Sequence, residues 1–536
     1  MRRTTIDILF LLLITAHLIG QLVLLGDFSV DDLALMTRFE DTKDAPAHQQ
    51  NIQEIKHIIK DGDKHSLIEI LTFQRGYPPM FHYIMALIAS FSFGEEYYVI
   101  RCGVLLFSVL IFFLLYGYFR RKNDHLTGLW AVLITACSPF FLRYSTATTP
   151  HMFMGLCVFF LFVLCERTDN FRNRGWSLFF GIMSGVCLFA KHEVLIYCFA
   201  LYCISAIPVI VKPTKQQIKN LVFSLYLFGN IFIYFAYFYI YDTDISHRLA
   251  VKEYGRIKNA GLFSLQAFSF CGRMLFKNLM GPYIMGIACV ATVIHFIKPQ
   301  LYRKRNVIFF CVIVLMIFTF VPAKWPEYIS PLVVFIALIC ARAISMIRFR
   351  IVRSVLVIVA CYLTVSAYAG PLFDNRICTR DITQYEYTKV WDMVEERIVG
   401  DVSDIIQIEV LGIYQSKFIH SYLNLRAIQE GYSVDAGSVS KVAYPLNEIN
   451  GFPSIPLFIY VSNSEKKTWP IQAELWDQFE GVAEPKDKNI TLQHWQKVVD
   501  SKDFFVEVAR TQVILESKRV YVFLYENRER LKENEK

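Results

Sequence analysis

The sequence predicts a polytopic α-helical membrane protein of about eleven spans followed by a soluble α/β domain. Three observations predict it. Apolar residues make up 54% of the 536 and the mean hydropathy is +0.37, outside the range of ordinary soluble domains. Up to residue 373, apolar runs alternate with short polar punctuation, as expected where lipid is the solvent and about 20 apolar residues are needed per crossing. From Asp374 onward charge is frequent and no run could cross. The chain therefore divides into a membrane domain, 1–373, and a soluble domain, 374–536.

Apolar runs fall near residues 6–25, 80–93, 102–119, 128–142, 152–165, 176–190, 194–211, 221–241, 281–297, 307–322, 328–347 and 353–372. Basic clusters separate them at Arg120-Arg121-Lys122, Arg167/Arg172/Arg174, Lys212/Lys215/Lys219, Lys298 with Arg303-Lys304-Arg305, and Arg342/Arg348/Arg350/Arg353. Each is expected on the cytoplasmic side, where Lys and Arg accumulate. If every run crossed, all these clusters would lie opposite Arg2 and Arg3. One run must therefore not cross. The segment 80–93, opened by Pro78-Pro79, has the length of a re-entrant or interfacial piece. Met1-Arg2-Arg3 before Ile6–Leu25 reads as an uncleaved first helix, since no small-residue cleavage site follows. The external side then receives the first loop, 26–101, residues 143–151, Lys191-His192-Glu193, residues 242–280 and 323–327, and the C-terminal domain.

The net charge of +8 divides unevenly. The last 163 residues carry 20 basic against 26 acidic side chains, which leaves 35 against 21 in the membrane part. Topology explains that excess, and no nucleic-acid partner is implied. Most of the 13 cysteines sit in apolar segments, with Cys271 and Cys378 in loops, so a disulfide framework is not expected. The soluble domain reads as an amphipathic helix over 385–397 and strands at 405–413, 456–461 and 519–524, and it carries no catalytic motif.

Chemistry is therefore sought in the external loops. Asp31 and Asp32 stand just beyond the first helix. Such a pair can take a proton from a hydroxyl or amine; its plainer reading is a helix cap. Arg75, in Gln74-Arg75-Gly76-Tyr77-Pro78-Pro79, can clamp a phosphate bidentately or simply meet a lipid headgroup. Lys191 and Lys324 can supply further cations at the bilayer surface, or can snorkel there as anchors. His151 and Glu193 could join Asp31 around a divalent metal, but no ligand spacing supports one, and no metal or cofactor is expected.

Six features in order resemble the GT-C glycosyltransferases, in the branch of the protein mannosyltransferases and the lipid A aminoarabinose transferase. They are the acidic pair Asp31-Asp32, the Pro78-Pro79-aromatic lead-in, and Gly94-Glu95 with Arg101 heading the next helix. Then follow Leu133–Leu142 with Ser138-Pro139, the small-residue stretch Gly181–Lys191, and Lys324-Trp325-Pro326-Glu327-Tyr328. The resemblance covers roughly residues 6–350, with Pro150-His151 where many relatives carry an acid. It implies an inverting sugar transfer from a polyprenyl-phosphate donor to a lipid, glycan or protein acceptor, at the external face of a bacterial-type inner membrane with a periplasmic or extracellular C-terminal domain. Asp31 then serves as base, supported by Asp32. Arg75, Lys191 and Lys324 hold the donor phosphate, and Tyr77, His151, Glu193 and Tyr328 bind substrate. The rival class is a transporter or flippase of lipid-linked glycans, which would place its charges within the spans.

Overall fold

The structure is a computed structural model that describes residues 3–25, 48, 51–53, 55–56, 59, 78–91, 96–237, 265–298, 306–320, 326–398, 406–412, 423, 434–438, 457–462, 505–515 and 518–528. Contacts divide the chain into two units, Met1–Asp27 with Ile55–Leu372, and Phe28–Glu54 with Phe373–Lys536.

The first unit is helical. Its helices are α1 (Arg3–Leu25), α2 (Met80–Ser90), α3 (Glu96–Arg120), α4 (His125–Ala136), α5 (Pro139–Tyr144), α6 (His151–Arg167), α7 (Arg174–Val186), α8 (Val194–Val211), α9 (Lys215–Ala236), α10 (Leu265–Met274), α11 (Pro282–Ile297), α12 (Asn306–Phe320), α13 (Leu332–Ser345) and the start of α14 (Arg350–Ile398). Among the described residues, five segments are long and apolar enough to cross a membrane: Arg3–Leu22, Val99–Arg120, Val194–Val211, Lys215–Ala236 and Ile351–Tyr368. Shorter apolar helices accompany them, among them Met80–Ser90. Its 11 residues rise about 16 Å, roughly half the hydrocarbon thickness.

Two runs differ from the sequence reading. The run 128–142 is not one helix. Ser138 caps a new start by accepting from the Phe141 amide, with Pro139 at the first helical position, so α4 ends and α5 begins. Within 242–280, read as loop, α10 and a following π-helical turn Leu275–Leu279 are formed, and Cys271 is a buried helical residue.

Helix α7 sits against α9 at a distance only glycine permits. A Cβ on Gly181 would stand 2.4 Å from the Ser224 carbonyl oxygen, and one on Gly185 would stand 2.5 Å from Ile231 Cβ. Small residues four apart let two helix backbones touch where hydrophobic driving force is absent. On the next side Tyr202 of α8 reaches the Ser224 hydroxyl at 2.9 Å, which ties three helices at one level.

The second unit holds a mixed five-stranded sheet in the order β2-β1-β3-β5-β4, from β1 (Ile406–Gly412), β2 (Val434–Ser438), β3 (Leu457–Ser462), β4 (Phe505–Leu515) and β5 (Lys518–Asn527). Strand β1 runs parallel to β2 and β3, whereas β5 is antiparallel to β3 and β4. Trp391, Val394 and Ile398 pack into one core with Ile408, Leu457, Ile459, Val522 and Leu524. The amphipathic helix expected over 385–397 is the end of α14 and not a separate element. Strands β2 and β4 escaped the sequence reading. The first is five residues of mixed polarity, and in the second a register shift between Glu507 and Ala509 breaks the alternation.

The α7–α9 contact predicts that Gly181→Ala and Gly185→Ala each lower stability by about 1–3 kcal/mol, because the added methyl forces the helices apart. Gly229→Ala, where a Cβ meets nothing within 4 Å, is expected to be neutral or slightly stabilising. Thermal unfolding of the purified protein in detergent reads the difference, and equal midpoints for all three variants would refute the close contact.

Candidate active site

Helix α7, held by its glycines, tightens into a 3-10 turn at Cys187–Phe189 and releases the chain as Ala190-Lys191-His192-Glu193 before α8. That turn presents Lys191 and Glu193 to each other. Lys191 Nζ lies 3.0 Å from Glu193 Oε1, with 6% and 4% of the two side chains exposed. His192 Nε2 approaches the other carboxylate oxygen at 3.6 Å from a more open position. Lys191 is thus no snorkelling anchor: it is buried and ion-paired.

Two other elements bring side chains to the same lysine, and further residues support them. His151, first residue of α6, places Nδ1 3.4 Å from Lys191 Nζ, and its ring meets Tyr144 of α5 edge-on at 5.5 Å. The ring of Tyr328, in the 3-10 turn Pro326–Ile329 before α13, lies under the ammonium at 5.3 Å. Tyr197 of α8 holds that turn by donating to the Tyr328 carbonyl oxygen at 2.5 Å. Buried Arg101, in the second turn of α3, donates from Nε to the Thr146 carbonyl oxygen at 2.8 Å. The hydroxyls of Thr148 and Thr149 are buried and have no hydrogen-bond partner among the described residues.

The first residues of α6 and α8, the approach to α13 and the second turn of α3 are thereby held together by contacts at one end of the bundle. Helix N-termini carry about half a positive charge each, so this end favours an anion. Glu193 already answers that field. Burial pushes its carboxyl up, but the charges of His192 and Lys191 outweigh burial and hold it below the usual carboxylate value. It is ionised at neutral pH.

Of the residues named from sequence, Lys191, His151, Glu193 and Tyr328 come together in this cluster. Asp31, Asp32, Arg75, Tyr77 and Lys324 lie outside the described residues. Among the described residues, no group of three or more His, Cys, Asp or Glu side chains is placed to hold a metal. Sequence reasoning left out Tyr197, Tyr144 and the two threonines, and took Arg101 only as a landmark. A charge one turn inside an apolar run is a signal for a buried polar contact, and Arg101 carries that signal.

Residues 77–241 match the family described as dolichyl-phosphate-mannose-protein mannosyltransferase. The matched segment contains Lys191, His151, Glu193, Arg101 and the glycine contact on α7. Over this segment the chain is similar to that family of membrane mannosyltransferases. Its fold is similar to that of ArnT from Cupriavidus metallidurans in the apo state, at 12% identity over 84% of this chain and 87% of that one with a TM-score of 0.48. It is similar also to ArnT from Cupriavidus metallidurans bound to undecaprenyl phosphate, at 12% identity over 94% and 98% with a TM-score of 0.48. The Archaeoglobus fulgidus oligosaccharyltransferase complex with Zn and sulfate follows at 10% identity over 72% and 59%, TM-score 0.46. No curated protein matches the sequence. The likeness that bears on function is the family match over residues 77–241.

Removing one member of a buried pair strands the other charge, at a cost of about 3–5 kcal/mol. Glu193→Gln is expected to lose stability of that order, and Lys191→Met/Glu193→Gln to regain most of it. The Glu193 contribution is present above about pH 4.3 and lost as the pH falls through the lowered folded-state value, so acid unfolding should begin at higher pH in wild type than in the double variant. Denaturation midpoints across pH check both, and a double variant no more stable than Glu193→Gln would show that the pair is not coupled.

Proposed function

We propose that the chain transfers one sugar, with inversion, from a polyprenyl-phosphate-linked donor to a lipid, glycan or protein acceptor on the external face of the membrane. The observation that carries this reading is buried Lys191, held by Glu193 and His151 where helix N-termini converge. An ammonium has three donors. Glu193 and His151 engage two, which leaves one for an oxygen of the donor phosphate.

The reaction needs a charge sink on one side of the sugar and a base on the other. As the acceptor oxygen attacks the anomeric carbon, the bond from that carbon to the phosphate oxygen breaks, and polyprenyl phosphate departs with the electron pair. Lys191, joined by Arg75 and Lys324, receives the developing charge; preorganised cations in a dry site are among the largest contributions to such catalysis. Asp31 takes the acceptor proton, Asp32 supports it, and Tyr77, His151, Glu193 and Tyr328 position the sugar and acceptor. Asp31 follows α1 by six residues. Near the end of α1, Gln21 donates to the Leu142 carbonyl oxygen at 3.3 Å, in the same α5 that carries Tyr144.

Asp31→Asn tests the base against the helix cap. Asn caps about as well as Asp, so the variant should insert and fold normally while transfer falls by about 10²- to 10⁴-fold, since an amide does not take the proton. Full transfer by well-folded Asp31→Asn would remove Asp31 from the reaction.

A further inference from the structure

A second polar cluster lies at the opposite end of the bundle. Where α3 and α6 end, a pocket of about 380 Å³ is lined by Phe113, Gly117, Tyr118, Arg121, Lys122 and Arg167, with Glu166 at its rim. The Tyr118 hydroxyl gathers three charged groups. It donates to Glu166 Oε1 at 2.9 Å, accepts from Lys122 Nζ at 2.8 Å, and accepts from Nη2 of Arg342 on α13. Arg342 is 3% exposed, and its Nε and Nη1 have no hydrogen-bond partner among the described residues. Lys122 is also paired with Glu166 at 3.1 Å. Arg167 stacks over Trp176 at 4.5 Å.

Below this basic mouth the wall turns apolar. Leu106, Leu110 and Phe113 are 48%, 41% and 48% exposed. With Gly117 and Arg121 they form one stripe along α3 at helical spacing, leading from mid-helix to the pocket. A Cβ at Gly117 would meet nothing within 4 Å, so the floor of the pocket is open. The helix C-termini here carry partial negative charge, yet three lining cations, Arg121, Lys122 and Arg167, stand against the single Glu166, with Arg342 behind Tyr118, and the balance favours an anion.

A basic mouth over an apolar stripe fits one kind of ligand, an amphiphile with an anionic head. We propose that this pocket binds the headgroup of an anionic membrane phospholipid, with the phosphate on Arg121 and Arg167 and an acyl chain along Leu106, Leu110 and Phe113. The site is separate from the Lys191 cluster and does not depend on the reaction assigned there. Tyr118 and Arg342 link it to α13, so an occupied pocket fastens α3, α6 and α13 together.

Native mass spectrometry of the full-length protein in detergent, titrated with dioleoyl-phosphatidylglycerol, dioleoyl-phosphatidylcholine or inorganic phosphate, tests the site. Wild type should retain one phosphatidylglycerol at least about tenfold more tightly than phosphatidylcholine. Arg121→Gln, at an exposed position, should weaken that binding about fivefold, and Gly117→Leu should abolish it by filling the floor. Millimolar inorganic phosphate should not displace the lipid. Equal retention of phosphatidylglycerol by wild type and both variants would overturn the proposal, as would equal binding of the two lipids. Full displacement by phosphate would also overturn it, by showing an anion site without lipid character.

Discussion

Hydrocarbon offers no hydrogen bonds, so a chain dissolved in it must satisfy every backbone amide and carbonyl within itself. That constraint shapes the rest of the membrane unit. It makes the described elements of the membrane unit helical, and it confines irregular backbone to places where protein or water can meet the exposed groups. Those places are the helix ends. The break at Ser138-Pro139, the 3-10 turn at Cys187–Phe189 and the turn at Pro326–Ile329 are such sites. Each leads into the cluster around Lys191. The proposed chemistry lies where the helices stop, because there a polar side chain and a non-helical backbone can share the same surroundings.

Packing turns that placement into geometry. In lipid, helices are not driven together by burial of apolar surface, and close backbone approach has to supply the attraction. Gly181 and Gly185 provide it by bringing α7 onto α9, and the turn after α7 then delivers Lys191 to Glu193 at 3.0 Å. The ion pair answers the field of the converging helix N-termini, and His151 and Tyr328 complete its surroundings from two further helices. Glycine contact, turn and charge pair form one sequence of causes from the interior of the bundle to the end that holds Lys191.

Much of this was legible in the sequence, for physical reasons that also explain what was not. Apolar runs report the lipid solvent directly, so the helices fall close to where hydropathy puts them. Lys191, Glu193, His151 and Tyr328 were legible as polar residues at run ends, and the structure gathers them. Their partners were not. Tyr197 and Tyr144 are aromatic residues in apolar stretches, indistinguishable in one dimension from core residues, and Thr148 and Thr149 look like ordinary loop. Whether Lys191 snorkels or pairs also depends on a residue 40 positions away, which no local pattern reveals. In the soluble unit, β4 hid because its bulge shifts the two-residue period, while β1, β3 and β5, which keep an apolar run, were read correctly.

The central claim is that the protein moves a sugar from a polyprenyl-phosphate carrier and does not merely move the carrier. Membranes containing the full-length chain, incubated with a polyprenyl-phosphate sugar radiolabelled in the sugar, measure this directly through the covalent state of the label. Label should leave the carrier and appear in a lipid, glycan or protein fraction, with free polyprenyl phosphate accumulating in equal amount. Label that crosses the membrane but stays attached to its carrier would contradict it and show a flippase.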